Sequence, residues 1–109
     1  EVFGKAASSS HDLGDAAKRA VAALSTALSD QDEVVRLRAA KSLGEFLGKA
    51  AGSSHDFGDA AKEAVAALST ALRDQYEVVR GLAARSLGEF LGKAAGSSHD
   101  FGDAAKEAV

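Results

Sequence analysis

His11, His55 and His99 fall at a period of 44 residues, as do Gly4, Gly48 and Gly92 and then Asp15, Asp59 and Asp103. Arg36 and Arg80 keep the same register, and residues 89–109, EFLGKAAGSSHDFGDAAKEAV, repeat 45–65 letter for letter. The 109-residue chain therefore divides into units 1–44 and 45–88 and the opening of a third, 89–109. No other feature constrains the fold as much. A unit this short cannot bury its own apolar face, so it must stack on its neighbours.

Each unit resolves into two helices. In the second unit, Phe57, Ala61, Ala64/Val65, Leu68 and Ala71/Leu72 recur at three- and four-residue steps and mark one buried stripe from about Ser54 to Leu72. The polar RDQ stretch then breaks the pattern, and Asp74 followed by Glu77 has the form of a capping box. A second stripe, Val78/Val79, Leu82/Ala83, Leu87, Phe90/Leu91 and Ala94, predicts a helix from about Gln75 to Ala95, with Gly96 placed as a left-handed cap. Proline is absent, and the abundant Ala, Leu, Lys and Glu lose little on entering a helix. Short connections leave the paired helices antiparallel.

The stretches GDAAKRAVAALSTALSDQDEVVRLRAAKSLGEFLG (14–48) and GDAAKEAVAALSTALRDQYEVVRGLAARSLGEFLG (58–92) resemble the HEAT repeat, above all the short bacterial type also found in bilin-lyase-like proteins. The resemblance covers essentially the whole chain. It implies an all-α fold, a right-handed α-α superhelix of about two and a half repeats. It also implies a ladder of hydrogen bonds between adjacent repeats, carried here by Asp30 and Asp74 in the turns and Arg36 and Arg80 on the second helices. Two departures stand out: the first helix lacks the family's common proline, and the link from one repeat to the next is longer.

The repeated His-Asp pair invites a metal or acid–base reading, but a metal needs three or more converging ligands. His55 and Asp59 share a helix face while Asp56 points elsewhere. The simpler reading is helix-start architecture, in which Ser53, Ser54 and Asp56 satisfy the free N–H groups of the first turn. Equivalent histidines in a stack would stand roughly 10 Å apart, too far to share one ion. Iron-binding enzymes of HEAT type hold their metal with His-Glu pairs on the second helix. This chain has VVRLRAAK and VVRGLAAR there, without histidine or paired carboxylates. No GxSxG, P-loop or cysteine nucleophile is present. The expectation is a non-enzyme with no catalytic residue, cofactor or metal. A HEAT-like metalloenzyme or lyase using the His-Asp pairs is the alternative.

Gly81, Ala84, Gly88, Gly92 and Ala95 make a ridge almost without side chains along the second helix. Glycine there costs about 1 kcal/mol relative to alanine, so a neighbouring helix, or else a ligand backbone, is expected to press against it. The two full units differ at few positions, and several of these cluster on the second helix: Asp32/Tyr76, Leu37-Arg38/Gly81-Leu82 and Lys41/Arg85. If second helices line the concave surface, as the resemblance implies, Tyr76, Arg80 and Arg85, with Arg38 and Lys41 of the first unit, form a candidate surface for a protein or peptide.

Thirteen Lys and Arg stand against sixteen Asp and Glu, a formal net charge of −3. No concentrated basic face suggests nucleic acid, and no apolar run approaches the roughly 20 residues that span a bilayer. A soluble, cytoplasmic setting is the default. The functional expectation is a scaffold for protein–protein interaction, read as a fragment of a longer array because neither end is a polar cap. The alternative is a self-assembling or engineered repeat module. Residues 1–21 and 89–109 are nearly the same sequence, so copies could stack head-to-tail.

Overall fold

The computed structural model describes residues 10–52 and 57–95, with side chains from residue 14 onward. Four helices and no strand are found among them: α1 (Ser10–Ala27), α2 (Glu33–Ala51), α3 (Gly58–Ala71) and α4 (Glu77–Ala95). α1 lies against α2 and α3, α4 lies against α2 and α3, and α1 and α4 do not meet. First helices thus form one layer and second helices another, and α2 against α4 is the most extensive contact. Two such stacked layers make an all-α solenoid.

The core follows the apolar stripes. On α3, Ala60, Ala61, Ala64, Val65, Leu68 and Ala71 are all buried, and their small volumes let the flanking helices approach closely. Val21, Leu43, Leu47, Val79, Leu87 and Phe90 fill the space between the layers. Each large side chain removed from water contributes about 1.5–3 kcal/mol. Phe46 and Phe57 meet edge to face, with centroids 5.8 Å apart, across the link from α2 to α3.

The first helix of each pair stops in the same way. The hydroxyls of Ser25 and Thr26 donate to the carbonyls of Val21 and Ala22 at 2.8 and 3.1 Å, and Ser69 and Thr70 repeat this on Val65 and Ala66. Tighter three-residue bonds follow, Asp30 N–H to Ala27 O and Asp74 N–H to Ala71 O, both at 3.1 Å. The hydroxyl bonds share carbonyls the helix already uses, and the three-residue bonds tighten its last turn where the chain leaves it.

One expectation about helix ends needs correction, and two others fall on residues outside the described ones. The helix start expected near Ser54 falls on residues 53–56, which lie outside the described residues; among those described, α3 is helical from Gly58. Asp74 is not the cap of α4. Its carboxylate accepts the Tyr76 N–H at 2.8 Å, closing the turn, and α4 begins at Glu77. The cap position belongs to the residue two further on: in α2 it is Asp32, which accepts the Val34 N–H at 2.8 Å. Gly96 lies outside the described residues, but Gly52, its counterpart after α2, has φ −97° and no described glycine has positive φ. The α2 terminus closes instead by a right-handed turn, Gly52 N–H to Lys49 O at 3.2 Å.

Candidate interaction surfaces

The turn between paired helices is built twice from the same parts. Asp30 accepts the Asp32 N–H at 2.8 Å as Asp74 accepts that of Tyr76, a side chain standing in for a backbone turn bond. Arg36 Nη1 then donates to the carbonyls of Asp30 and Gln31 at 3.0 and 3.1 Å. Arg80 Nη1 does the same to Asp74 and Gln75 at 2.7 and 3.2 Å. Each arginine therefore ties its own turn to its own second helix.

Arg36 does more. A guanidinium has five donors in a rigid fork. Its Nε and Nη2 reach Asp74 Oδ2 and Oδ1 at 2.8 and 3.2 Å, joining the first helix pair to the second. The pair is largely shielded, with side-chain exposures of 15% and 8%. The hydrogen bond from Arg36, with the Tyr76 N–H and the charges of Arg36 and Arg80 adding to it, holds the Asp74 carboxyl below the usual carboxylate range against the opposing effect of burial. Asp74 is thus both the closure of its own turn and the acceptor for the preceding unit. At the other end of the described array, Arg80 Nη1 donates to its own turn carbonyls. Its Nε and Nη2 meet no carboxylate among the described residues.

An open groove of about 820 Å³ runs between the two turns, lined by Asp30, Arg36, Glu63, Thr70, Arg73 and Asp74 among others. Its charges are mostly engaged in the pairings above.

The candidate contact residues separate into two groups. Arg38 and Lys41 on α2 and Arg85 on α4 are exposed. They belong to stripes at four- and three-residue steps, Val34-Arg38-Lys41-Glu45 and Val78-Leu82-Arg85-Glu89, each on one helix face. Val34 and Val78, at the same place in the two units, are 47% and 44% exposed and are two of the three large hydrophobics left open to water among the described residues. Arg85 also pairs with Glu89 at 3.2 Å on the surface. Tyr76 and Arg80 stand apart from this stripe. Tyr76 is half-buried against the core, and Arg80 is bound to the turn.

The glycine ridge is the largest surprise. No heavy atom beyond the helix's own backbone lies within 4 Å of a Cβ built at Gly81, Gly88 or Gly92, so among the described residues no helix presses on the α4 ridge. The expected close approach occurs one unit earlier. A Cβ at Gly44 would stand 2.8 Å from the Cβ of Ser86 and nearer still to its hydroxyl. One at Gly48 would touch Lys93 Nζ at 3.4 Å. α4 thus lies on the α2 ridge, while its own ridge meets none of the described helices. The signal was legible in the 44-residue period, since Gly44 and Gly48 stand one period before Gly88 and Gly92.

His11 and Asp12 fall in the first turn of α1, and the pairs His55-Asp56 and His99-Asp100 lie outside the described residues. Asp59, in the first turn of α3, is exposed. Among the described residues no three His, Cys, Asp or Glu side chains gather where they could hold a metal ion, and no helix is long and apolar enough to cross a membrane.

Paired helices stacked in two layers, with an Asp-Arg bond bridging consecutive turns, define an α-solenoid repeat protein. A family model of HEAT repeats matches residues 7–88, and the chain belongs to that family. No curated protein and no solved structure matches it.

Proposed function

We infer that this chain is a non-enzymatic scaffold whose second-helix stripes hold a protein or peptide along the concave side. HEAT repeats commonly serve as protein-interaction scaffolds. The observation that carries the reading is the repetition of one exposed motif: an open valine, a cationic residue seven positions on, and a glutamate four further. A partner helix or extended peptide with spaced apolar side chains would cover Val34 and Val78. Acidic residues beside them would meet Arg38, Lys41 and Arg85. Apolar anchors give the burial, and rim charges give orientation and association rate.

Selection of peptides displayed against the immobilised chain tests this. Enrichment of acidic, apolar-spaced sequences is expected. Charge reversal of Arg38, Lys41 and Arg85 to Glu should weaken the best of them about tenfold or more while the thermal melt stays in place. Failure to enrich, or peptides indifferent to the reversal, would overturn the reading.

A further inference from the structure

Val34, Lys41 and Glu45 on α2 are exposed and fall within about 20° of one line along the helix. Val78, Arg85 and Glu89 repeat them on α4, again exposed. The first set is open with α4 packed beside its helix, and the second is open with α2 packed beside its own. Neither a following nor a preceding second helix therefore covers these positions, and their openness belongs to the unit rather than to an end of the array. Gly44 stands against Ser86, and Gly48 against Lys93, so equivalent positions of the two helices lie level to within about two residues, roughly 3 Å. Like thus stands beside like. The surface presents an apolar row, a cationic row about 10 Å further along the helices, and an anionic row about 6 Å beyond that.

Helices in such close contact have axes about 8–10 Å apart, so each row repeats at about that interval. A β-strand returns to the same face every two residues, about 6.7 Å. An α-helix returns after seven, about 10.5 Å. A polyproline-II segment returns every three, about 9.3 Å, and only this falls inside the interval. Its three residues per turn also give it three faces. We propose that the partner is an extended segment of this left-handed form, running across the second helices with an apolar side chain every third residue on Val34 and Val78. An acidic residue beside each faces Lys41 and Arg85, and the third residue of each turn faces water. This occupant rests on the scaffold reading above, to which it adds a backbone form and a period. Arg85 holds Glu89 at 3.2 Å with both side chains well exposed, and so open a pair is worth little, so a partner carboxylate can share the guanidinium. Glu45 and Glu89 repel an acidic flank turned the wrong way, which fixes the side on which the acids lie.

Fluorescence anisotropy of labelled peptides titrated with the full chain reads the period. Each peptide carries two isoleucines, each followed by glutamate, in a proline-rich frame that sets them two, three or four residues apart. A helical, alanine-based peptide sets them seven apart. The spacing of three is expected to bind about tenfold tighter than any of the others, the worth of one well-seated apolar anchor. Val34→Ser or Val78→Ser, each at an exposed site, should leave the melting temperature in place and abolish the preference, because a single anchor cannot read a spacing. Tightest binding by the helical peptide, or equal binding at every spacing, would overturn the extended partner. The scaffold reading would then still stand if charge reversal of Arg38, Lys41 and Arg85 weakened those peptides. Binding by none of them would also overturn the extended partner, and the display selection tests the scaffold reading separately.

Discussion

α2 and α4 share sixteen of nineteen residues, and both bury Ala39/Ala83 and Leu43/Leu87, yet the flanks of that common stripe differ. In α2, Ala40, Leu47 and Ala51 are buried while Ser42 is exposed and Phe46 half-exposed. In α4, the counterparts Ala84 and Ala95 are exposed, and Ser86 and Phe90 are buried. The arginines differ likewise, Arg36 bridging to the next unit and Arg80 holding only its own turn. Almost the same helix thus has two environments. In a stacked array the burial of a side chain belongs to the contact between units, and a helix on its own does not carry it.

That contrast can be broken by substitution at paired positions. The largest effect is expected at the phenylalanines. Phe90→Ala, from a fully enclosed site, should cost about 3–5 kcal/mol, and Phe46→Ala, from a half-open one, clearly less. Chemical denaturation of both variants checks it, and equal losses would mean that the α2 side is also covered. Next come the glycines. Gly44→Ala must push Ser86 aside and should cost about 1–3 kcal/mol. Gly88→Ala has open space and should gain up to about 1 kcal/mol from helix propensity. Opposite signs for one substitution at equivalent positions would be the sharpest form of the comparison, and thermal melts at low concentration read it.

A smaller difference concerns the caps. Asp32→Ala removes the acceptor of the Val34 N–H and should cost about 1 kcal/mol. Unfolding in urea checks it, and an unchanged midpoint would mean that the cap bond does not persist in solution. The smallest signal is a pH dependence. The Asp74 carboxyl titrates below its ordinary value because it accepts from Arg36. Its contribution is therefore complete above the unfolded value, about pH 4, and is lost as the pH falls through the lower folded value. Asp74→Asn keeps the geometry and removes the charge. The variant should be less stable at neutral pH, with the gap to the parent closing as acid is added below about pH 4. A gap that stays constant would show that the ion pair adds nothing.

Much of the fold could be read from residues alone, and the misreadings have local causes. The stripe Ala60, Ala61, Ala64, Val65, Leu68 on α3 is buried where its periodicity places it, because alternation at three and four residues is a direct consequence of helix pitch. The cap of α4 was misplaced because Tyr76 occupies the position where the first unit has Asp32. A capping pattern read from Asp74 and Glu77 then looks valid, though it describes the turn. The face of Arg38, Lys41 and Arg85 follows from spacing, while the separate duty of Arg80 depends on carbonyls that only the folded turn brings within reach.

The sequence by itself determined the period, the two helices per unit and the family to which they belong. These depend on local propensity, helix pitch and self-similarity, all of which are written along the chain. Only the tertiary structure decided which of two equivalent ridges is covered, which arginine bridges and which side of each helix meets water. Those outcomes depend on where the neighbouring unit lies, and two segments that share sixteen of nineteen residues cannot record that difference in their own letters.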